Sequence, residues 1–319
     1  MHPRESMGMP LFNLQGHRGA RALHPENTLP SFEAALDAGV SSIETDVHLT
    51  RDGVAVLCHD PLICDPPCTL FRLGAALPAT PLLVSQLTLA ELRGYRADGN
   101  PDPRRFADQV ALVTPLAALF AEQLGVEPYG IPTLEELLQF TAAYAGELGV
   151  RAGKSDIQRQ QARKVIFDLE LKRVPFHPES INDRFDGTKP GLLEERIVEA
   201  VRRAGMAKRT TVRSFDHRCI RLLRRIEPDL TGAVLMAETA PLSPAELVER
   251  ADAQVYCPAY LFLDETIVRQ VRAAGARVLP WTVNQPEHWQ RLLEWGVDGI
   301  TTDFPNRLAR YLTERGVTF

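Results

Sequence analysis

Short apolar runs alternate along this chain with longer stretches in which apolar residues recur every three or four positions. The runs at 165–171, 211–214, 232–236, 254–257, 277–283 and 298–301 read as strands. Between them, 192–205 places Ile197, Ala200, Val201 and Ala204 on one face and ends on a glycine. The stretch 266–275 repeats the pattern with Ile267, Val268 and Val271. A third, 286–296, opens on Pro286 and closes on Gly296, the asymmetry expected of helix ends. Strand then helix, repeated, predicts a parallel sheet with right-handed crossovers. Two more strands, 12–15 and 42–45, flank a helix at 29–38 whose Phe32, Ala35 and Leu36 face inward. They bring the count to eight, the number that closes an α/β (β/α)8 TIM barrel.

The run 54–59 stays outside that count. It comes after Val47-His48-Leu49-Thr50 across the turn signal Arg51-Asp52-Gly53, and predicts a hairpin protruding beyond the second strand. Residues 60–131 hold nine of the 24 prolines and little periodicity before Pro132-Thr133-Leu134-Glu135 restarts a helix. So long a connection is expected to be an insertion capping the barrel mouth, inside one catalytic domain over 11–310. A second long loop, 173–190, comes after the third barrel strand.

With 319 residues, 45% hydrophobic and 24% charged, the chain can bury a sizeable core. Its net charge of -5 asks for neither nucleic acid nor an anionic membrane as a bulk partner, so any bound anion has to meet a local cationic site. The five cysteines, Cys58, Cys64, Cys68, Cys219 and Cys257, are odd in number and scattered. They read as thiols, and the Cys64/Cys68 pair without further Cys or His is a poor zinc site, although its spacing leaves a bridge open. No apolar run is long enough to cross a membrane. The start of the chain lacks the apolar middle of a signal peptide, which favours the cytoplasm, while a periplasmic or secreted chain with its leader removed would read the same.

The candidate chemistry lies at strand ends. In Glu44-Thr45-Asp46 the two carboxylates project to one face of a strand, repel each other and call for a cation; a hard divalent ion, Mg2+ or Ca2+, suits oxygen ligands. In Asp168-Leu169-Glu170-Leu171-Lys172 three charges share the face opposite Phe167, Leu169 and Leu171, an arrangement that is costly unless it lines a polar site. Glu170 then supplies a third metal ligand and Lys172 a phosphate-binding cation. His17 and Arg18 come directly after the first strand, and the hairpin folds His59 back roughly opposite Thr45. Two histidines flanking a metal site suit acid and base work near neutral pH. Arg18 and Lys172 supply the charge a phosphate transition state needs. His48 shares the acidic face and His177 lies in the loop after Lys172; neither is assigned an essential role. His24 reads as turn chemistry, and His2, His217 and His288 as surface or packing residues. Trp281 and Asn284 end the seventh strand, where an aromatic wall and an amide could meet a ligand.

These residues carry a resemblance. Gly16-His17-Arg18-Gly19, Pro25-Glu26-Asn27-Thr28, Glu44-Thr45-Asp46-Val47, Leu49-Thr50-Arg51-Asp52-Gly53 and His59-Asp60-Pro61 are similar to the signature of the glycerophosphodiester phosphodiesterases. Glu170-Leu171-Lys172, Trp281-Thr282-Val283-Asn284 and Asp298-Gly299-Ile300-Thr301-Thr302-Asp303-Phe304-Pro305 resemble that family's later motifs in the same order. The resemblance implies a (β/α)8 barrel that hydrolyses glycerophosphodiesters, such as glycerophosphocholine or glycerophosphoethanolamine, to sn-glycerol 3-phosphate and an alcohol, with one divalent cation. Carried over position by position, His17 and His59 are the acid/base pair, Glu44, Asp46 and Glu170 the metal ligands, and Arg18 and Lys172 the phosphate-binding cations. Trp281 would lie against the substrate, with Asn284 near it. The expected partner is thus a small molecule. Two rivals stand beside this reading: a lysophospholipase D or phosphoinositide-type phosphodiesterase on the same barrel, and a phosphate-binding barrel without turnover. The second requires a broken acid/base set, which this sequence does not have.

Overall fold

Strand–helix alternation becomes a nearly closed eight-stranded parallel barrel in the computed structural model, which describes residues 12–63, 71–72 and 81–319. The barrel strands are β1 (Asn13–Gly16), β2 (Ser42–Leu49), β3 (Ile166–Leu171), β4 (Thr210–Ser214), β5 (Thr231–Met236), β6 (Val255–Pro258), β7 (Arg277–Val278) and β8 (Gly299–Thr302). From β1 to β7 each strand pairs with the next, and β8 returns to β1 with Asn13 opposite Gly299. Backbone bonds from Asp298 N–H to Val278 O and from Thr301 N–H to Pro280 O draw β7 and β8 together. The seventh strand is shorter than its apolar run, because Pro280 lacks the N–H a continuous ladder needs.

The outer helices are α1 (Leu29–Asp37), α2 (Leu134–Ala145), α3 (Leu192–Arg203), α4 (His217–Ile226), α5 (Pro244–Arg250), α6 (Glu265–Ala273), α7 (Pro286–Trp295) and α8 (Pro305–Glu314). Local signals set their ends. Thr133 and Glu136 form a reciprocal capping box at the start of α2, as Ser243 and Glu246 do for α5. Gly296 ends α7 in the left-handed conformation, φ 75°. The pleat then sorts side chains. Ile43, Val47, Phe167, Leu169 and Leu171 point outward into the main core under the helices, while Glu44, Asp46, Asp168 and Glu170 point to the barrel axis. The opposite half of the interior, from β5 to β7, is apolar: Ala233, Leu235, Val255, Cys257 and Leu279 fill it.

The expected hairpin is present, with Ala55–Leu57 antiparallel to the end of β2 and Val47 opposite Leu57. The stretch beyond the hairpin does more than cap the mouth. Val84, Leu87, Leu92 and Tyr95 bury with Val56, Cys58 and Ile63 in a second small core on the hairpin. Arg105 and Phe106 reach the barrel mouth, where Phe106 packs on Ala22 and Phe304. A helix at Pro115–Leu124 then runs along the barrel flank, with Leu116, Ala117 and Phe120 in the main core. Cys64 and Cys68 lie outside the described residues; Cys219 and Cys257 are buried free thiols. No helix among the described residues is long and apolar enough to cross a membrane.

The flank helix is anchored by one buried carboxylate. Glu33 on α1 accepts from Leu116 N (3.1 Å), Ala117 N (2.9 Å) and the Thr114 hydroxyl, and pairs with Lys154 at 2.6 Å. Removing it leaves buried donors unpaired at a helix start. Glu33→Ala is expected to cost about 3 kcal/mol in chemical denaturation. A change within about 0.5 kcal/mol would show that the helix is held by apolar packing alone.

Candidate active site

The C-terminal ends of β1, β2, β3 and β8 converge on one cluster. Register places Asp46 beside Glu170 and Glu44 beside Asp168 across the β2–β3 pair. Glu44, Asp46 and Glu170 are buried, and one oxygen of each lies within 4.8 Å of the others. Three like charges so close, out of water, cannot all ionise without compensation. Burial, with Asp46 and Glu170 alongside, pushes Glu44 up to about 8, against the pull of Arg213 and Arg18. Burial also works to raise Asp46, but Lys172 and Arg18 hold its carboxyl well below the usual range.

The compensating cations come from three directions. Lys172 Nζ lies 2.7 Å from Glu170 Oε1 and 3.4 Å from Asp46 Oδ1. Burial lowers its pKa, yet Glu170 and Asp46 keep it above the ordinary lysine value. Arg18 places Nε 3.4 Å from Asp46 Oδ2, donates from Nη1 to Glu26 Oε1 at 2.7 Å, and donates its backbone N–H to Glu44 Oε2 at 2.8 Å. That backbone contact depends on a tight turn. Arg18 and Gly19 both have positive φ, 52° and 85°, and a Cβ on Gly19 would sit 2.5 Å from Ser31 Oγ. From below, Arg213 on β4, 2% exposed, puts Nη2 2.9 Å from Glu44 Oε1, an ion pair off the hydrogen-bond direction. Its Nη1 donates to Gln15 Oε1 at 3.0 Å, and Gln15 Nε2 donates to Asp168 Oδ2 at 2.5 Å.

His17 stands on the Glu44 side, its Nε2 3.9 Å from Glu44 Oε2. Its Nδ1 is 2.6 Å from Asp303 Oδ1, at the end of β8. Burial opposes ionisation of Asp303, but His17, Arg21 and Arg105 hold it well below the usual carboxylate range. Burial pushes His17 down to about 4 despite Asp303. The ring is therefore neutral at pH 7 with its proton on Nδ1, which turns the Nε2 lone pair toward the acids. His59 is on the Asp46 side, at the more open rim, with Nδ1 2.7 Å from Asp60 Oδ1. His48 is buried, pushed by burial down to about 4, and meets the His59 carbonyl through Nε2 at 3.1 Å, so it fixes the backbone of the second histidine.

The structure thus gathers His17, Arg18, Glu44, Asp46, Glu170 and Lys172, with His59 at the edge. Trp281 stands elsewhere: it follows β7, four strands from β3 around the barrel. It packs on Phe215 with ring centroids 5.9 Å apart and donates to Cys257 O at 2.8 Å. Asn284 is a support for Asp303: its Nδ2 donates to Asp303 Oδ2 at 2.6 Å and its Oδ1 accepts from Asp303 N at 2.9 Å. His177 is exposed and pairs with Glu179. Four contributors went unassigned in the sequence. Asp303 closes an apolar strand as Glu170 does, and the same criterion would have found it. Arg213, a charge inside an apolar run, carried a similar signal. Glu26 and Asn27 lay within a quoted motif; Asn27 donates to Asp46 Oδ2 at 2.9 Å.

A half-polar barrel with acids, cations and a buttressed histidine at its mouth defines a barrel enzyme built for phosphodiester chemistry. The pattern of the glycerophosphoryl diester phosphodiesterase family matches residues 17–307. This chain belongs to that family and is a phosphodiesterase. A glycerophosphodiester phosphodiesterase of Bacillus altitudinis is 27% identical over 93% of this chain and 97% of its own length. One from Caldanaerobacter subterraneus is 25% identical, with 94% and 97% covered. A crystal structure from Silicibacter pomeroyi assigned to the same family is 31% identical, covers 99% of this chain and 96% of its own, and superposes with a TM-score of 0.78. The Oleispira antarctica phosphodiesterase, solved with sn-glycerol-3-phosphate, shares the fold with a TM-score of 0.65 at 20% identity, covering 94% of this chain and 96% of its own.

This geometry makes two outcomes measurable. Asp303→Asn keeps the shape but no longer holds the Nδ1–H tautomer of His17, so turnover is expected to fall about 10²–10⁴-fold with the circular dichroism spectrum unchanged. Turnover within twofold of wild type would remove Asp303 from the proton path. Glu44, with its pKa raised to about 8, is the carboxyl of the three whose proton a bound cation displaces. Divalent-cation affinity, measured by calorimetry, is expected to rise as pH goes from 6 toward 8 and level off above, with net proton release on binding at pH 7. Affinity flat across that window would contradict the raised carboxyl.

Proposed function

We propose that this protein hydrolyses glycerophosphodiesters, glycerophosphocholine and glycerophosphoethanolamine among them, to sn-glycerol 3-phosphate and an alcohol in a reaction dependent on Mg2+ or Ca2+. The observation that carries this reading is the buried Glu44, Asp46 and Glu170 triad with oxygens inside 4.8 Å, facing Arg18 and Lys172. The donor set fits a hard divalent ion: it is all carboxylate, its repulsion leaves Glu44 raised, and Glu44 Oε1 is buried without an aligned hydrogen bond. When bound, such a cation draws charge from a phosphate oxygen and eases the approach of a nucleophile.

The protein's own residues do the rest. Arg18 and Lys172, held by the acids, meet the remaining negative charge of the phosphodiester and orient it between the two histidines. Proton traffic at His17 passes through Nε2, because Asp303 holds Nδ1–H. One histidine takes the proton of the nucleophile, and the other gives a proton to the departing alcohol oxygen; water as nucleophile yields the monoester directly, whereas the glycerol 2-hydroxyl yields a cyclic phosphodiester that water then opens by the reverse exchange of protons. Phe215, directly after β4, and Trp281, after β7, pack edge to face and add apolar surface at the mouth.

The decisive experiment is glycerol 3-phosphate release from glycerophosphocholine by EDTA-treated protein, repeated with Mg2+ or Ca2+ restored. Release is expected only with the cation, and to drop about 10²–10⁴-fold in each of His17→Ala and His59→Ala with folding intact. Full release in EDTA would reject the cation, and undiminished turnover in both variants would reject the histidine pair.

A further inference from the structure

Beside the catalytic cluster lies a second cleft, of about 640 Å³, whose chemistry the proposed reaction does not use. It opens between the loops after β7 and β8 and the Arg105 segment of the insertion. Arg104, Arg105, Arg307 and Arg310 all line it, against one lining carboxylate, Glu314. Four arginines at one cleft stand out on a chain of net charge -5. Arg105 is bound to Asp303 and Arg307 to Asp108 at 2.8 Å. Arg104 and Arg310 are exposed and have no acidic partner among the described residues.

Two further features of the cleft favour an anion. Helices α7 and α8, ten residues each, start at it: Gln285 and Phe304 are their N-cap residues, both line the cleft, and neither provides a side-chain cap. The positive ends of two helix dipoles therefore face the same space; each helix opens on a proline and its third residue bonds to the N-cap carbonyl, which leaves one open first-turn N–H per helix, on Glu287 and Asn306. The position matches where (β/α)8 barrels bind phosphate, at the loops after strands seven and eight.

The cleft is also coupled to the reaction. Asn284 and Arg105 line it, and both bond to Asp303, which holds His17. A group seated there is two residues removed from the histidine that works on the phosphodiester, through Arg105 or Asn284 and then Asp303. We infer that this cleft binds a phosphate-class anion carried on the leaving alcohol, so that among glycerophosphodiesters the enzyme selects those whose alcohol is itself phosphorylated. This rests on the hydrolytic reading above and narrows its substrate class.

The test compares kcat/KM for glycerophosphoinositol 4-phosphate and for glycerophosphocholine, in wild type and in the Arg104→Gln/Arg310→Gln double variant, with Mg2+ present. Both arginines are exposed and outside the catalytic cluster, so folding and glycerophosphocholine turnover are expected to be unchanged. Wild type is expected to favour the phosphorylated substrate by about tenfold or more, and the variant to lose that preference. Equal kcat/KM in wild type, or a preference that survives in the variant, overturns the inference. Binding of inorganic pyrophosphate to the EDTA-treated protein, measured by calorimetry, is expected to weaken at least about threefold in the variant, and an unchanged affinity overturns the site. Weakened pyrophosphate binding with an unchanged substrate preference overturns the leaving-group assignment in favour of a free phosphorylated ligand. Loss of glycerol 3-phosphate release from both substrates would instead overturn the hydrolytic reading, and the pyrophosphate measurement would still decide the cleft.

Discussion

Mutual repulsion among three buried carboxylates is the constraint around which this molecule is arranged. Glu44, Asp46 and Glu170 sit together where water cannot screen them, and each neighbouring element supplies an answer to that charge. The turn after β1 turns a backbone N–H and a guanidinium toward it. The end of β3 brings Lys172, and β4 places Arg213 beneath. The Arg213 layer ties Glu44, Gln15 and Asp168 into a polar floor, closed by Thr301 donating to Gln15 Oε1 at 2.5 Å. An uncompensated floor of that kind would be the costliest part of the barrel; bonded as it is, it sets where the acids point.

The same constraint divides the barrel interior. Strands β1 to β4 and β8 carry the polar half, and β5 to β7 carry small and apolar residues that pack without partners. At the mouth, Phe215 and Trp281 pack together over the apolar half. The hairpin and its small core hold His59 at the open rim, where His48 secures its backbone from inside.

Much of this was legible in the chain. Period and helix-end signals placed the eight strands and most barrel helices, because each depends on contacts within a few residues. The acids and histidines were legible because charged side chains on an apolar strand have few structural explanations. What escaped depends on distant partners. The helix Pro115–Leu124 is apolar on most sides, and its anchor, Glu33, lies over 80 residues away. Arg213 was absorbed into an apolar run because nothing local shows that its neighbours across the barrel are acids. Asn284 reads as a ligand contact; the fold adds the bonds of its amide to Asp303, which nothing local in the chain shows.

His17 and Asp303, joined at 2.6 Å, are 286 residues apart in the chain. The first barrel strand leaves the ribosome long before the last, so the growing polypeptide carries its histidine without the carboxylate that orients it. Proton-transfer geometry at His17 is completed only when β8 docks against β1, which is also the step that closes the barrel. Synthesis, closure and competence therefore coincide, and a chain halted before its eighth strand would be both an open sheet and an enzyme with an unoriented histidine.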